Sequence, residues 1–336
     1  MKITAQAPCR VDLAGGTLDI WPLYLFHPNA VTVNFAVNRY TRCWIETHNS
    51  RKIILRSRDL GQEEIFDSLD QLKKAKCYKL PLLATLVDFF EPACGFQLET
   101  DSEAPAGAGI SGSSALIIAL ASALNKLCGR GYSLEKIREI AQNNEARIIR
   151  VPTGCQDYYP AMYGGVSAIE MDCAGVRRKP IPVDLDDFNP RILLAYTGEP
   201  RNSGINNWEV NKAYLDGDRR VHRNFAQIAA IANAMRAALE RSDWSAVARL
   251  LRQEWSHRKK NAPGISTPLI DRLVDVTRRA GAMGAKVCGA GGGGCVFFLV
   301  KPGSQEQVAR VIEREGAQVL PVVVAPVGVR VKSTAE

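Results

Sequence analysis

The chain has 336 residues, of which 46% are hydrophobic and 23% charged, and both values are ordinary for a globular protein. The length suffices for two domains with their own cores. No apolar run approaches a membrane span, and the N-terminus lacks the pattern of a signal peptide, so a membrane partner is not expected.

The charge and the cysteines point to a cytoplasmic protein with an anionic small-molecule substrate. The 43 Lys and Arg exceed the 35 Asp and Glu, which gives a net charge of +8. No basic patch interleaved with aromatic residues supports a nucleic-acid partner. The nine cysteines are an odd number without the paired spacing of a metal site, so we expect reduced thiols.

Hydrophobic periodicity predicts a mixed order of strands and helices. Strands are predicted at 2–13, 30–37, 40–48, 52–57, 95–100, 165–171, 191–196, 286–288, 295–300 and 319–331. Helices are predicted at 69–76, 80–90, 113–128, 133–149, 218–240, 243–255, 266–281 and 303–315. This order indicates an α+β fold with mixed sheets and helices packed on them. Proline- and aspartate-rich breaks near 180–190 predict two domains, 1–185 and 186–336.

The first segment that could carry chemistry is residues 7–19. A predicted strand carries Arg10, and a Gly-Gly turn then presents Thr17 and Asp19. Taken alone, this segment could be no more than a polar strand followed by a turn.

The second segment, residues 105–116, reads PAGAGISGSSAL and leads directly into an apolar helix. Free amide hydrogens and the helix dipole make such a loop favourable for anions, above all a phosphate chain. The expected ligands are the residues Gly107, Gly109, Ser111, Gly112, Ser113 and Ser114. A Walker loop is excluded because no Lys precedes the serines, and a dinucleotide fingerprint is excluded by position and by the missing acid near residue 130. A tight turn that binds nothing remains the alternative.

Helix 133–149 carries one acidic residue on its apolar face. Its predicted core stripe is Ile137, Ala141 and Ile148, and Glu145 falls within that stripe. A carboxylate there is costly unless it is paired or bound to metal. The basic residues that could pair with it instead are Lys136, Arg147 and Arg150.

Two further segments complete the pattern. Asp157 follows Gln156 in a glycine-punctuated loop, where catalytic groups often lie, although it could also be a turn residue. Residues 286–300 contain a glycine run that enters a buried strand. That run is either a second backbone wall around the phosphates or a bulged hairpin packed in the core.

Together and in this order, the glycine-rich segments resemble the signatures of the GHMP kinases, named for galactokinase, homoserine kinase, mevalonate kinase and phosphomevalonate kinase. The loop at 105–116 is close to the family pattern, with Ile110 in place of Leu. The segment at 286–294 is close to the last family motif, with Cys288 replacing a hydroxyl residue. The resemblance implies a two-domain GHMP-kinase fold and an ATP-dependent transfer of phosphate to an alcohol.

The resemblance also implies roles for individual residues. Pro105 and the loop that follows it, with Gly289, Gly291, Gly292 and Gly293, would hold the ATP phosphates. Mg²⁺ would be held by Ser114 or Ser113 and by Glu145. Asp157 would act as base or orienter, and Arg10 would stabilise charge. Thr17, Asp19, Gln156, Asp157 and Arg201 would contact the substrate.

Family differences narrow the substrate to a sugar. No Glu-His pair precedes Asp19, which argues against a galactokinase, and the Gly154–Asp157 segment and the loop at 197–203 are similar to those of the heptose-phosphate kinase and fucokinase branch. The expected reaction is phosphorylation of an anomeric C1 hydroxyl.

The basic residues Arg201, Lys259 and Lys260 suggest a substrate that already bears a phosphate, such as D-glycero-D-manno-heptose 7-phosphate. The alternatives are a neutral sugar such as fucose or another hexose, a sensor that binds ATP and sugar without turnover, and a protein whose glycines only serve packing. Whether the chain forms a homodimer stays open.

Overall fold

A computed structural model of the chain describes residues 1–199 and 203–334, and the side chains of 203–206 are not part of that description. The strands are β1 (Lys2–Ala14), β2 (Ala30–His48), β3 (Ile53–Ser57), β4 (Gln62–Phe66), β5 (Gly95–Ser102), β6 (Val166–Asp172), β7 (Gly175–Pro180), β8 (Ile192–Tyr196), β9 (Ala282–Val287), β10 (Cys295–Val300), β11 (Gln318–Leu320) and β12 (Arg330–Thr334). The helices are α1 (Leu69–Lys74), α2 (Pro81–Phe90), α3 (Gly112–Leu127), α4 (Leu134–Ile149), α5 (Tyr158–Tyr163), α6 (Leu185–Phe188), α7 (Ser203–Leu215), α8 (Arg219–Glu240), α9 (Trp244–Arg258), α10 (Pro268–Ala280) and α11 (Gln305–Arg314).

The strands form two sheets. The larger sheet has the order β12-β1-β2-β5-β3-β4, and β6 pairs with β2 and carries β7. The long strand β2 pairs with β6 along its first part and with β5 along its second part. The smaller sheet has the order β11-β8-β10-β9 with antiparallel pairs. No helix in the described ranges combines the length and the hydrophobicity needed to cross a bilayer.

The α+β class and most of the predicted elements are confirmed, and the differences have physical reasons. Predicted strands 30–37 and 40–48 are the single strand β2, because β1 pairs with both parts and a bulge at residues 38–39 does not end the strand. The edge strands β4 and β7 are largely exposed and therefore lack an apolar pattern. The two sheets divide between β7 and β8, yet β12 returns to pair with β1, so the end of the chain lies in the first sheet.

The phosphate-loop candidate is fixed between the two sheets. Helix α3 is buried along most of its length, as its apolar sequence predicts, and packs on β1, β2 and α4. On one side of the loop, the Arg10 amide donates to the Ile110 carbonyl at 3.0 Å. On the other side, the Cys295 amide of β10 donates to the Ala108 carbonyl at 2.7 Å. The loop is therefore anchored to both sheets by backbone hydrogen bonds.

Aromatic side chains fill the space between the sheets. Phe35 of β2 lies 5.2 Å from Phe188 and 5.6 Å from Phe297 of β10, measured between ring centroids. Phe188 also stacks on Trp244 at 5.0 Å. Phe35, Phe188 and Phe297 are completely buried, so these contacts join the two halves through a dry core.

We predict that Phe188→Ala lowers the free energy of unfolding by about 3–5 kcal/mol, because it leaves a cavity where the sheets meet. Urea unfolding measures the change. Phe89→Ala is the matched control, since Phe89 is 42% exposed. Equal losses in the two variants would contradict a shared core at Phe188.

Candidate active site

A cavity of about 570 Å³ lies where the anchored loop, the first turn of the chain and the two sheets meet. Its walls come from residues 104–114, residues 16–20, residues 151–157 and the start of the last glycine run. This volume lies within the range of small-molecule sites, roughly 300–1,000 Å³. The cavity thus collects most residues that the sequence analysis singled out.

The N-terminus of α3 opens onto the cavity. Gly107 and Gly109 have φ of 68° and 76°, and Ser111 before the helix also lies in the left-handed region at φ 59°. The Ser111 side chain does not cap the helix, and its buried hydroxyl has no hydrogen-bond partner within the described structure. The first-turn amides of a helix have no acceptor within the helix. Together with the hydroxyls of Ser111, Ser113 and Ser114, they form a wall suited to an anion.

The last glycine run faces the cavity only at its beginning. Gly289 and Ala290 line the cavity, and the Gly289 amide donates to Asp12 Oδ1 at 2.7 Å. Farther along, a Cβ on Gly291 would lie 2.5 Å from the Ile265 carbonyl oxygen, and one on Gly293 2.7 Å from that of Glu199. The Gly292 amide donates to Ile265. Close backbone packing is therefore one reason for the glycines at 291–293. The expected phosphate contacts of Gly291, Gly292 and Gly293 stay a prediction.

Arg10 and Asp157 meet at the edge of the anion wall. Arg10 Nε and Nη2 lie 2.8 Å and 2.7 Å from Asp157 Oδ1, and Arg10 Nη1 donates to the Gly109 carbonyl at 2.6 Å. Burial disfavours the charge on Arg10, but the carboxylates of Asp157 and Asp12 outweigh it and raise the pKa of Arg10. The side chain of Asp157 is 28% exposed and lines the cavity. A fixed cation and a carboxylate thus lie together beside the candidate phosphate site.

Behind this pair, a row of buried charges crosses from the first sheet to the second. Asp12 forms an ion pair with Lys286 of β9, and neither side chain is exposed. Burial would raise the pKa of Asp12, but Lys286 and Arg10 outweigh it and hold the pKa below its ordinary value. Lys286 Nζ also lies 3.9 Å from Glu254 Oε2 of α9.

Glu254 continues the row by pairing with Arg258, and Arg258 lines the cavity. The sequence analysis missed both residues, although the signal was present. Glu254 lies seven residues after Val247 and four after Leu250, inside the apolar stripe of its helix. This is the same pattern that singled out Glu145 on α4.

Asp19 is held at the opposite wall. It is 3% exposed, and its Oδ2 accepts a hydrogen bond from the Gln156 amide at 3.0 Å. A Cβ on Gly154 would lie 2.0 Å from this oxygen, so only glycine fits there. Asn34 donates to both oxygens of Gln156 at 3.2 Å. Burial and the nearby charge of Asp157 raise the pKa of Asp19 to about 7.

Glu145 faces the start of α3. It is 8% exposed, and it accepts hydrogen bonds from Ser113 Oγ at 2.7 Å, from Ser114 Oγ at 3.3 Å and from the Tyr158 hydroxyl. Burial raises the pKa of Glu145 even though these hydroxyls oppose the rise. No ion pair joins it to a basic residue in the described ranges: Lys136 pairs with Glu139, and the nearest partner of Arg147 is Asp88. Among the residues that the structure describes, none supplies a compensating positive charge to this buried carboxylate.

The basic residues expected beside the substrate are placed differently. Arg201 lies outside the described residues. Lys259 pairs with Asp271 at 3.3 Å on the surface, and neither Lys259 nor Lys260 lines the cavity. The residue before them, Arg258, does so instead. Helix α9 ends at Arg258, and the two lysines lie in the turn that follows it.

Comparison with known proteins connects this geometry to one enzyme family. The N terminal domain of the GHMP kinases matches residues 75–165, and the GHMP kinases C terminal region matches residues 235–318. The D-glycero-alpha-D-manno-heptose 7-phosphate kinase of Campylobacter jejuni is 27% identical over 320 residues, covering 93% of this chain and 94% of that protein. The L-fucokinase/L-fucose-1-P guanylyltransferase of Bacteroides fragilis is 26% identical over 333 residues, covering 89% of this chain and 34% of that protein.

A solved structure confirms the fold. This chain is similar to the crystal structure of a D-glycero-D-manno-heptose 1-phosphate kinase from Bacteroides thetaiotaomicron. The superposition covers 99% of this chain and 100% of that one. The TM-score is 0.79 and the sequence identity is 23%. The two-sheet α+β arrangement therefore agrees with the family that the two GHMP kinase matches show.

The raised pKa of Asp19 predicts a pH-dependent stability. The unfolded chain titrates this carboxyl near pH 3.9, so between there and about pH 7 the folded state binds more protons. The free energy of unfolding should fall as the pH rises through this window, by at least about 1 kcal/mol. Urea unfolding between pH 4.5 and 8 measures this fall in the free energy of unfolding. In Asp19→Asn the fall should be smaller by the contribution of Asp19. Asp216→Asn, at an exposed position, is the control, and an unchanged slope in Asp19→Asn would refute the assignment.

Proposed function

Because the chain belongs to the GHMP kinase superfamily, whose members transfer phosphate from ATP to alcohol groups, we propose that it is a sugar kinase acting on an anomeric C1 hydroxyl. The acceptor we propose is D-glycero-D-manno-heptose 7-phosphate. The observation that carries the proposal is the Arg10–Asp157 pair, which lies at the edge of the anion wall with the Asp157 carboxylate partly exposed to the cavity.

Phosphoryl transfer needs mainly positioning and charge neutralisation, and the cavity supplies both. The first-turn amides of α3 and the serine hydroxyls would bind the triphosphate. Arg10, held by hydrogen bonds to Gly109 and Asp157, would neutralise charge on the transferred group. Asp157 would accept the proton of the sugar hydroxyl or orient that hydroxyl for in-line attack.

The surroundings of Glu145 fit Mg²⁺. Carboxylate and hydroxyl oxygens are the ligands that this ion prefers, and here they converge beside the phosphate loop without a basic partner in the described structure. Glu145 and Ser114, with Ser113 as the alternative, would hold the ion. When bound, Mg²⁺ neutralises phosphate oxygens.

The opposite wall supports a sugar as the acceptor. Asp19, Gln156 and Thr17 present a carboxylate, an amide and a hydroxyl, which can bind several hydroxyl groups of one sugar. A heptose 7-phosphate is supported by the likeness to the kinase of Campylobacter jejuni. Arg201 would bind the 7-phosphate, because its planar guanidinium suits a phosphate.

One observation favours a neutral sugar as the second candidate. The two arginines that line the described cavity, Arg10 and Arg258, are each paired with a carboxylate. The charges of these two arginines are therefore already balanced before a substrate phosphate enters, and Lys79 is the other basic residue in the described lining. Lys259 and Lys260, which suggested a phosphorylated substrate, lie away from the cavity.

The deciding experiment measures ADP release with the heptose 7-phosphate, the same heptose without phosphate, and L-fucose, at low and moderate salt. Phosphorus NMR of the product identifies the position of the new phosphate. A gain in kcat/KM from the 7-phosphate that shrinks with salt and disappears in Arg201→Ala supports the heptose-phosphate assignment. Equal efficiency with and without the phosphate moves the assignment to a neutral sugar, and the absence of turnover with every sugar would refute a sugar kinase.

Asp157→Asn should retain Mg-ATP binding and lower kcat by about 10²–10⁴-fold, because an amide cannot accept the hydroxyl proton. Coupled ADP release gives kcat, and titration calorimetry gives the ATP affinity. Asp172→Asn is the control, since Asp172 pairs with Arg177 on the surface. A kcat like that of the wild type in Asp157→Asn would remove this residue from the reaction.

Glu145→Gln should weaken Mg-ATP binding by about 10-fold while the fold stays intact, because a neutral amide is a poor ligand for Mg²⁺. Calorimetric titration of Mg-ATP measures the affinity, and circular dichroism with urea unfolding measures the fold. Glu139→Gln on the same helix is the matched control, because Glu139 pairs with Lys136 at the surface. Unchanged Mg-ATP affinity together with lost stability would show a purely structural carboxylate.

A further inference from the structure

The turn at Gly16–Thr17 is held in a conformation that its sequence does not favour. Thr17 has φ of 72°, in the left-handed region. A β-branched residue is a clear outlier there, because its side chain crowds the backbone. Such strained positions persist only where surrounding contacts fix them, and they are frequent at binding sites. Thr17 lines the cavity two residues before Asp19, so its conformation affects the proposed sugar wall directly.

Helices in the other half of the chain fix this turn. From α7, Asn207 Oδ1 accepts a hydrogen bond from Thr17 Oγ1 at 3.1 Å, and the other contacts come from α9. Arg258 Nη2 donates to the Gly16 carbonyl at 2.9 Å, and Arg258 Nη1 donates to Thr17 Oγ1 at 3.3 Å. The Arg258 side chain is 4% exposed. A Cβ on Gly16 would lie 3.3 Å from Arg258 Nη2 and 3.0 Å from Gln156 Nε2, so the guanidinium is packed tightly against the turn.

The guanidinium is itself held in place. Arg258 Nε donates to Glu254 Oε1 at 2.8 Å, and the Glu254 side chain is fully buried. Glu254 Oε2 lies 3.9 Å from Lys286 Nζ, and Lys286 pairs with Asp12. The same Asp12 accepts the amide of Gly289 at the cavity wall. One buried row of charges therefore holds the turn and the Gly289 wall together.

We infer that Arg258, oriented by Glu254, is a positioning residue of the acceptor pocket. It holds the Gly16–Thr17 turn in its left-handed conformation and thereby sets the position of Thr17 and Asp19. Both terminal nitrogens of Arg258 donate to the turn, and for this reason we assign the residue a role that acts through the turn. This inference rests on the proposed function in one respect: the pocket it shapes is taken to receive the sugar.

The inference predicts a selective kinetic defect. Arg258→Met should raise KM for the sugar by about 10- to 100-fold, the range expected when hydrogen bonds to a charged group are lost. KM for ATP and kcat should change by less than about threefold, because the anion wall and the Arg10–Asp157 pair do not contact Arg258. Arg258→Lys should behave like Arg258→Met, because a lysine keeps the charge but cannot form the same fork of hydrogen bonds.

Two further variants control for a general effect of the substitution and for loss of the fold. Arg249→Met, at an exposed position of α9, is the matched control and should match the wild type. If Arg258→Met fails to fold because Glu254 is left buried without a partner, the double variant Glu254→Gln/Arg258→Met removes both charges and gives the answer. A sugar KM like that of the wild type in the folded variant, or equal losses for ATP and sugar, would overturn the inference.

A second measurement separates this inference from the proposed function. Urea unfolding of Thr17→Gly, Arg258→Met and their combination forms a double-mutant cycle that needs no substrate. Glycine adopts the left-handed conformation without strain, so the loss from Arg258→Met should be smaller in the Thr17→Gly background. Additive effects would overturn the inference even in an active kinase. A strong coupling in a protein that phosphorylates no sugar would leave the inference standing and refute the proposed function.

Discussion

Six buried or half-buried charges of alternating sign hold the candidate active site together. Their order is Asp157, Arg10, Asp12, Lys286, Glu254 and Arg258. Taking such charges out of water is costly, and the cost is offset only while each has its partner in place. Because β1, β9, α9 and the loop before α5 contribute the members of the row, its geometry is satisfied only when the two sheets are correctly docked. The row ends at the cavity on both sides, at Asp157 and at Arg258.

This constraint explains why the cavity lies at the junction of the two sheets. The phosphate-loop candidate is bonded to β1 through Ile110 and to β10 through Ala108, so neither half of the chain builds it alone. The dry aromatic core around Phe35 stiffens the same junction. A reaction that depends on positioning gains most from rigid supports of this kind, because small displacements of reacting groups are costly in rate.

The sequence predicted those parts of the site that depend on local pattern. The apolar helix α3 and the glycine loop before it could be predicted because each depends on residues that are adjacent in the sequence. The helical periodicity of α4 singled out Glu145. The Arg10–Asp157 contact joins residues 147 positions apart, and only the resemblance to a kinase family suggested it. The return of β12 to β1 and the contact of Arg258 with Thr17 are long-range in the same way. The number of basic residues near 258–260 did not predict which of them lines the cavity. Arg258 does so and Lys259 and Lys260 do not, because this depends on how the chain runs at the end of α9.

The most direct test is a crystal structure of the protein with magnesium, a non-hydrolysable ATP analogue and the heptose 7-phosphate. The account predicts the γ-phosphate between the first turn of α3 and Arg10, the ion on Glu145, and the C1 hydroxyl within hydrogen-bond distance of Asp157. The sugar ring should contact Asp19. A nucleotide bound away from the α3 N-terminus, or an acceptor hydroxyl remote from Asp157, would contradict the account.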